Sequence, residues 1–164
     1  MKNVAIAILL CLFTTVCYAG PSATLTVGNL SNYTVIKDPT GEDSYRMNSW
    51  SLPNQIDKGA TQWSKIEFNA NIFLNILTDR AKTVYTVECP NRQVERITIN
   101  ASVTELQDAA YFHKNYRPDI SVNVSSLNCV SVYAIDSSSP AAGEWSVPFV
   151  ESGNIKIYIV NYPS

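Results

Sequence analysis

Histidine is nearly absent from this chain, which limits the chemistry available to it. The 164 residues include one histidine, His113, and no Gly-x-Ser-x-Gly motif, so a serine-nucleophile site has no signature here. A zinc site ordinarily needs several histidine or cysteine ligands, and only His113 remains once the two cysteines beyond the predicted signal peptide pair with each other. We therefore expect His113 to pack or cap, and we predict no catalytic residue, no metal site and no cofactor.

Long apolar runs are missing beyond the first nineteen residues. An apolar run follows Lys2, and Cys17-Tyr18-Ala19 then ends in the small residue that signal peptidases prefer. The run is shorter than the ~20 residues that span a bilayer. We interpret residues 1–19 as a cleaved signal peptide. Residues 20–164 are then a single secreted domain, extracellular or periplasmic, with no transmembrane segment.

Cysteine is scarce once the signal peptide is removed. Two of the four cysteines lie within it, which leaves Cys89 and Cys129. In an oxidising compartment these two have one intramolecular pairing. Their disulfide would close a loop of about 40 residues, worth roughly 4 kcal/mol in the chain-entropy model. We predict this structural disulfide in preference to a thiol nucleophile or a metal pair.

Positive charge is also scarce. The chain holds 12 Lys and Arg against 14 Asp and Glu, and removing Lys2 leaves 11 against 14, a net charge of about −3. The basic residues are scattered singly, whereas proteins that bind nucleic acid or anionic membrane surfaces usually do so through a patch of clustered basic residues. This distribution argues against nucleic acid as a partner.

Apolar and polar residues alternate with a period of two along much of the chain, which is typical of strands with one buried face. The longest such run lies between Trp63 and Leu77. Shorter runs follow with turn signals between them, and Gly153-Asn154 indicates a hairpin between the last two. We predict an antiparallel β-sandwich or open barrel of about eight to ten strands.

One segment has helical periodicity instead. Ser102-Val103-Thr104-Glu105 fits a capping box, and apolar residues then recur at helical spacing up to His113. We predict one short helix near residues 103–115, packed over the sandwich. The alternative is that the preceding strand runs on through Thr104.

Aromatic residues at inferred loops and strand ends are the main candidate binding groups, because exposed rings stack on sugars or sit among lipid headgroups. These candidates are Trp50, Trp63, Trp145, Tyr111 and Tyr116. A second candidate surface is the outward face of the longest alternating run, where amides lie beside one ring: Asn69, Asn71 and Phe73. The competing interpretations are that the tryptophans close the core and that the amides form an ordinary wet face.

Carboxylates provide two weaker hypotheses. A glycoside hydrolase needs two of them about 5 to 9 Å apart across a cleft, and no spacing here places two in that way. The segment Asp38-Pro39-Thr40-Gly41-Glu42-Asp43 carries oxygen ligands suited to calcium but lacks the regular spacing of an EF-hand. We interpret that segment as a solvated acidic turn.

A short stretch near the start of the mature chain has a family resemblance. Gly28 to Tyr33, followed by Trp50, Ile56, Gly59 and Trp63, resembles the opening of the aegerolysin-type lipid-binding β-sandwiches. The resemblance covers less than a third of the chain and implies no residue role.

The sequence-based hypothesis is a secreted, non-enzymatic binding protein. Its partner would be a glycan, an envelope component or a secreted protein, engaged through exposed aromatic loops or a sheet face. The first alternative is a membrane-lipid-binding or membrane-active β-sandwich protein. The second and less favoured alternative is a carboxylate-based secreted hydrolase.

Overall fold

The alternating runs form strands in the computed structural model, which describes residues 22–69, 79–106, 115–135, 138–141, 144–148 and 153–162. The predicted signal peptide, residues 1–19, lies outside these ranges. The strands within them are β1 (Ser22–Asn29), β2 (Val35–Lys37), β3 (Asp43–Tyr45), β4 (Met47–Trp50), β5 (Gln55–Ile56), β6 (Thr61–Phe68), β7 (Arg80–Glu88), β8 (Val94–Leu106), β9 (Asn115–Val124), β10 (Val130–Ala134), β11 (Ser138–Ala141), β12 (Glu144–Pro148) and β13 (Asn154–Asn161).

Two sheets pack together, and the predicted β-sandwich is confirmed. The five-stranded sheet has the order β10-β13-β1-β6-β4, and the eight-stranded sheet has the order β11-β12-β9-β8-β7-β2-β5, with β3 also paired to β7. Neighbouring strands are antiparallel except for β1 and β13, which run parallel. The first and last strands described therefore lie side by side within the five-stranded sheet.

The core lies between the sheets because the inward positions of the strands are mostly aliphatic. Its largest fully buried side chains come from both sheets: Leu25, Val27, Ile66, Phe68, Ile157 and Ile159 from one, and Tyr85, Ile97, Ile99 and Ile120 from the other. Each contributes about 1.5 to 3 kcal/mol by leaving water. Tyr85 is the polar exception. Its hydroxyl donates to the Pro53 carbonyl at 2.9 Å, and burial raises its pKa.

The predicted helix near residues 103–115 is wrong wherever the structure describes it. β8 continues to Leu106 and pairs with β9 over ten consecutive positions. Val103 and Thr104 are β-branched, so they suit a pleated strand, and the cross-strand pairing outweighs the local capping signal. The remaining positions, 107–114, lie outside the described residues. Within the described ranges no helix is long and apolar enough to cross a bilayer.

The predicted hairpin at Gly153-Asn154 is also wrong. β12 pairs with β9 in the eight-stranded sheet, whereas β13 pairs with β1 and β10 in the five-stranded sheet. The chain therefore changes sheets between these two strands. A turn signal specifies only the local chain direction, not the partner of the strand that follows.

A disulfide joins the two sheets at one end of the sandwich, which we call the disulfide end. Cys89 follows β7 of the eight-stranded sheet, and Cys129 precedes β10 of the five-stranded sheet. Their Cα atoms are 5.8 Å apart, within the range that disulfides require. The predicted Cys89–Cys129 bond is confirmed, and it is typical of a protein that folds in an oxidising compartment.

A buried carboxylate reinforces the disulfide end. Glu95 of β8 is fully buried and accepts hydrogen bonds from three successive backbone N–H groups where the chain enters β10 of the opposite sheet. The donors are those of Asn128, of Cys129 at 3.2 Å and of Val130 at 2.8 Å. Three donors compensate a carboxylate for its lost hydration, so Glu95 fixes the start of β10.

Replacing Glu95 by Ala should lower the free energy of unfolding by about 3 kcal/mol, because three backbone donors lose their buried acceptor. Urea denaturation followed by circular dichroism measures the loss. Glu88→Ala removes an exposed carboxylate of the adjacent strand and should change stability by less than about 0.5 kcal/mol. Equal losses in the two variants would refute the stabilising role of the Glu95 hydrogen bonds.

Candidate functional site

The candidate site lies on the outer face of the five-stranded sheet, at positions that alternate with the core. Every second residue of β6 from Ser64 to Phe68 is buried, so Trp63 lies on the opposite face, and it is 73% exposed. Trp63 is opposite Thr26 of β1, and Thr26 is opposite Lys156 of β13. This register forms one row of side chains across three strands.

The adjacent row carries two tyrosines. Thr61 of β6 is opposite Gly28 of β1, Gly28 is opposite Tyr158 of β13, and Tyr158 is opposite Tyr133 of β10. Tyr133 is 55% exposed and Tyr158 is partly buried. We name Trp63, Tyr158 and Tyr133 the aromatic strip. It extends over β6, β1, β13 and β10, so it crosses most of the sheet.

Gly28 leaves the space that the Tyr158 ring occupies. A Cβ atom at residue 28 would lie 2.7 Å from Cδ1 of Tyr158 and 3.3 Å from Oγ1 of Thr61. The Tyr158 ring therefore rests on the backbone of β1, and glycine is required here for close approach. A ring held in this way has less rotational freedom to lose when a ligand binds.

Polar groups surround the aromatic strip. The hydroxyl of Thr26, which is opposite Trp63, donates to Oδ1 of Asn154 at 2.8 Å, so hydrogen-bonding oxygen atoms lie beside the Trp63 ring. Beyond Trp63 on β6, Lys65 and Glu67 form an ion pair at 2.6 Å. Hydrogen bonds from Lys65 and then Asn48 hold the pKa of Glu67 below its ordinary value. This carboxylate is therefore an anion already engaged with its neighbours.

A groove of about 420 Å³ opens at the disulfide end. Tyr162 lines it and lies four residues beyond Tyr158, about 13 Å farther along the line of β13. The other lining residues are a second tyrosine, the disulfide, one proline and four asparagines: Tyr33, Cys89, Cys129, Pro90, Asn32, Asn91, Asn128 and Asn161. A second groove of about 460 Å³ shares Asn32 and Tyr33 with the first.

A buried amide shapes the wall that the two grooves share. Asn29 is fully buried, and its Nδ2 donates to the carbonyls of Tyr33 at 2.7 Å and Ile56 at 2.9 Å. Its Oδ1 accepts from the N–H of Ser31 at 3.1 Å and from its hydroxyl at 2.6 Å. Residues 30–34 are therefore held in place before any ligand arrives.

The structure distributes the sequence-predicted residues over several environments. Trp50 is partly buried against the core, and its Nε1 donates to Oγ1 of Thr83 at 2.9 Å. Asn69 is exposed just after β6. Trp145 lies in β12 and Tyr116 in β9, where only the backbone is described, and the others lie outside the described residues: Asn71, Phe73 and Tyr111.

Trp63 is the one sequence-predicted side chain that the described residues place in the aromatic strip. Tyr133 and Tyr158 were not among the candidates. The alternation of β13 does indicate that Tyr158 faces away from Ile157 and Ile159. The missing information was that β13 pairs with β1, since only that pairing brings Tyr158 over Gly28.

Comparisons with known proteins add little to this geometry. No family model and no curated protein matches the chain. Among solved structures, that of the lipid binding protein Nakanori aligns over 98% of this chain and 78% of that one, with 10% sequence identity and a TM-score of 0.39. At that level the similarity carries no argument about function.

Trp50 and Trp63 should respond differently to replacement by Phe. Trp50→Phe loses a partly buried hydrogen bond and core contacts, so it should lower the free energy of unfolding by about 1 to 2 kcal/mol. Trp63→Phe should change it by less than about 0.5 kcal/mol but remove more of the iodide-quenchable tryptophan emission. Urea denaturation and fluorescence quenching measure both effects. The two placements would be wrong if the variants behaved alike.

Proposed function

We propose that this chain is a non-enzymatic binding protein that holds a glycan on the aromatic strip. The observation that carries the proposal is the Tyr158 ring held against Gly28, opposite Tyr133 and close to the exposed Trp63. Rings fixed on a sheet face offer broad apolar surfaces to the C–H faces of sugars. Because rigid strands position them, little ordering is needed when the ligand binds.

The surroundings of the strip also suit a sugar. Hydroxyl and amide groups beside the rings, such as those of Thr26 and Asn154, offer donors and acceptors to ligand hydroxyls. The amide-lined groove lies beyond the strip in the direction of β13. A polysaccharide that follows this strand would stack on Tyr158 and extend towards Tyr162. We therefore propose a chain-like ligand rather than a monosaccharide.

The buried acids support binding rather than hydrolysis. The Glu95 carboxylate is occupied by backbone donors, and that of Asp79 lies 3.5 Å from Nε of Arg46. Burial raises the pKa of Asp79, and Arg46 opposes that rise. Both acids thus have structural partners. A hydrolase would instead direct two carboxyl groups into a shared cleft.

The position of the strip also favours a glycan over a bilayer. Insertion of several tryptophans into a membrane requires them to project together. Of the two tryptophans whose side chains the structure describes, Trp50 packs inward while Trp63 projects from the sheet. A sheet face with hydroxyl groups beside its rings matches a sugar chain more closely than a hydrocarbon interior.

Binding is tested with polysaccharides of several backbones, immobilised or insoluble, and with lipid vesicles in parallel. Trp63→Ala and Tyr158→Ala should each weaken binding to the polysaccharide retained by the unmodified protein by about tenfold or more, because each removes a stacking surface. Val94→Ala removes an exposed apolar side chain of the eight-stranded sheet and should bind normally. Retention by vesicles alone would favour the lipid-binding alternative and reject the proposal.

Gly28→Ala tests how the Tyr158 ring is held. The added Cβ would displace the ring, whose outer end can swing into solvent, so the fold should survive while the strip is disrupted. We expect binding to fall about as far as in Tyr158→Ala, with far-ultraviolet circular dichroism unchanged. Ser22→Ala, an outward position at the far end of β1 opposite Glu67, is the matched control and should bind normally. Normal binding by Gly28→Ala would exclude a role for ring position.

A further inference from the structure

Charge on the outer face of the five-stranded sheet differs in sign from that of the whole chain. The outward positions described on β1, β6, β10 and β13 carry two cations and one carboxylate, Lys65, Lys156 and Glu67, for a net charge of +1. The full chain has a formal net charge of −2. A locally positive face on an acidic protein discriminates between charged and neutral ligands.

The three charged groups are not equivalent. Lys65 and Glu67 neutralise each other at 2.6 Å. Lys156 has no ion-pair partner among the residues that the structure describes. It therefore remains the cation available on this face.

Lys156 also lies beside the aromatic strip. It is opposite Thr26, which is in turn opposite Trp63, and it is two residues before Tyr158 on the same face of β13. Successive residues on one face of a strand are about 7 Å apart. Lys156 is partly buried, and a partly buried lysine ordinarily keeps its ammonium group in water.

Resting on the proposed glycan-binding function, we infer that the ligand is an acidic saccharide whose carboxylate or sulfate group pairs with Lys156. The apolar face of the sugar stacks on Tyr158 or Trp63, and the acidic substituent reaches the ammonium group of Lys156 beside them. A neutral sugar makes the stacking contacts without the ion pair. The aromatic strip supplies affinity for the sugar ring, and Lys156 supplies selectivity for its charge.

The test uses an array that pairs acidic saccharides with neutral counterparts: sialyllactose with lactose, and sulfated with desulfated polysaccharides. The unmodified protein should bind the better-retained acidic member roughly fivefold more tightly than its counterpart at low salt, as expected for one partly exposed charge-assisted contact. The difference should shrink in 0.5 M NaCl because salt screens exposed charges. Lys156→Gln should abolish the preference, and Trp63→Ala should weaken both members of the pair.

Lys82→Gln is the matched control, since it removes the same charge from an exposed position of β7 in the other sheet. It should keep the acidic preference. Equal binding of acidic and neutral members, unaffected by Lys156→Gln, would overturn this inference and leave glycan binding intact. Failure to retain any saccharide would overturn both.

Discussion

The arrangement of the sandwich depends on the connection between its sheets at the disulfide end. Cys89 and Glu95 belong to the eight-stranded side, and both reach the segment that begins β10 on the other side. One connection is covalent, and the other is a carboxylate that three N–H groups hold in a buried position. A buried carboxylate is costly unless its donors stay in place. Glu95 therefore specifies the geometry of the turn that leads into β10, and it also stabilises that turn. This turn also forms one wall of the amide-lined groove.

The fixed start of β10 also affects the candidate site, because β10 is part of the sheet that bears the aromatic strip. β10 pairs with β13, and β13 pairs in parallel with β1, so fixing the start of β10 helps to set the register of the outer face. Tyr133 and Tyr158 become neighbours by the first pairing, and Tyr158 meets Gly28 by the second. The smallest side chain of the sheet thus accommodates one of its largest. The aromatic strip is consequently a product of strand order, because its three rings come from segments far apart in sequence.

Because the aromatic strip depends on strand order, the sequence could predict only part of the fold and of the candidate site. Alternation of buried and exposed residues depends on each strand alone, so the β-sandwich and the outward position of Trp63 can be inferred from it. The two cysteines have one pairing, so their disulfide can also be inferred. Strand order and register depend on contacts between distant segments, and they determine Tyr133, Tyr158 and the burial of Glu95. The capping signal at Ser102 was misleading because the ten-position pairing of β8 with β9 contributes more than a local cap.

The same reasoning supports placing the proposed binding surface on a sheet face rather than on loops. A loop site loses conformational entropy when it becomes ordered around its ligand, whereas residues on paired strands are already positioned. The cost is that a sheet face is nearly flat and encloses little of a small ligand. A flat face with spaced rings therefore gains most from a ligand that is itself extended and contacts several rings at once. The aromatic strip crosses the sheet from Trp63 to Tyr133, and Tyr162 lies farther along the line of β13. Under the proposed function, a polymer would therefore make more contacts than a single sugar.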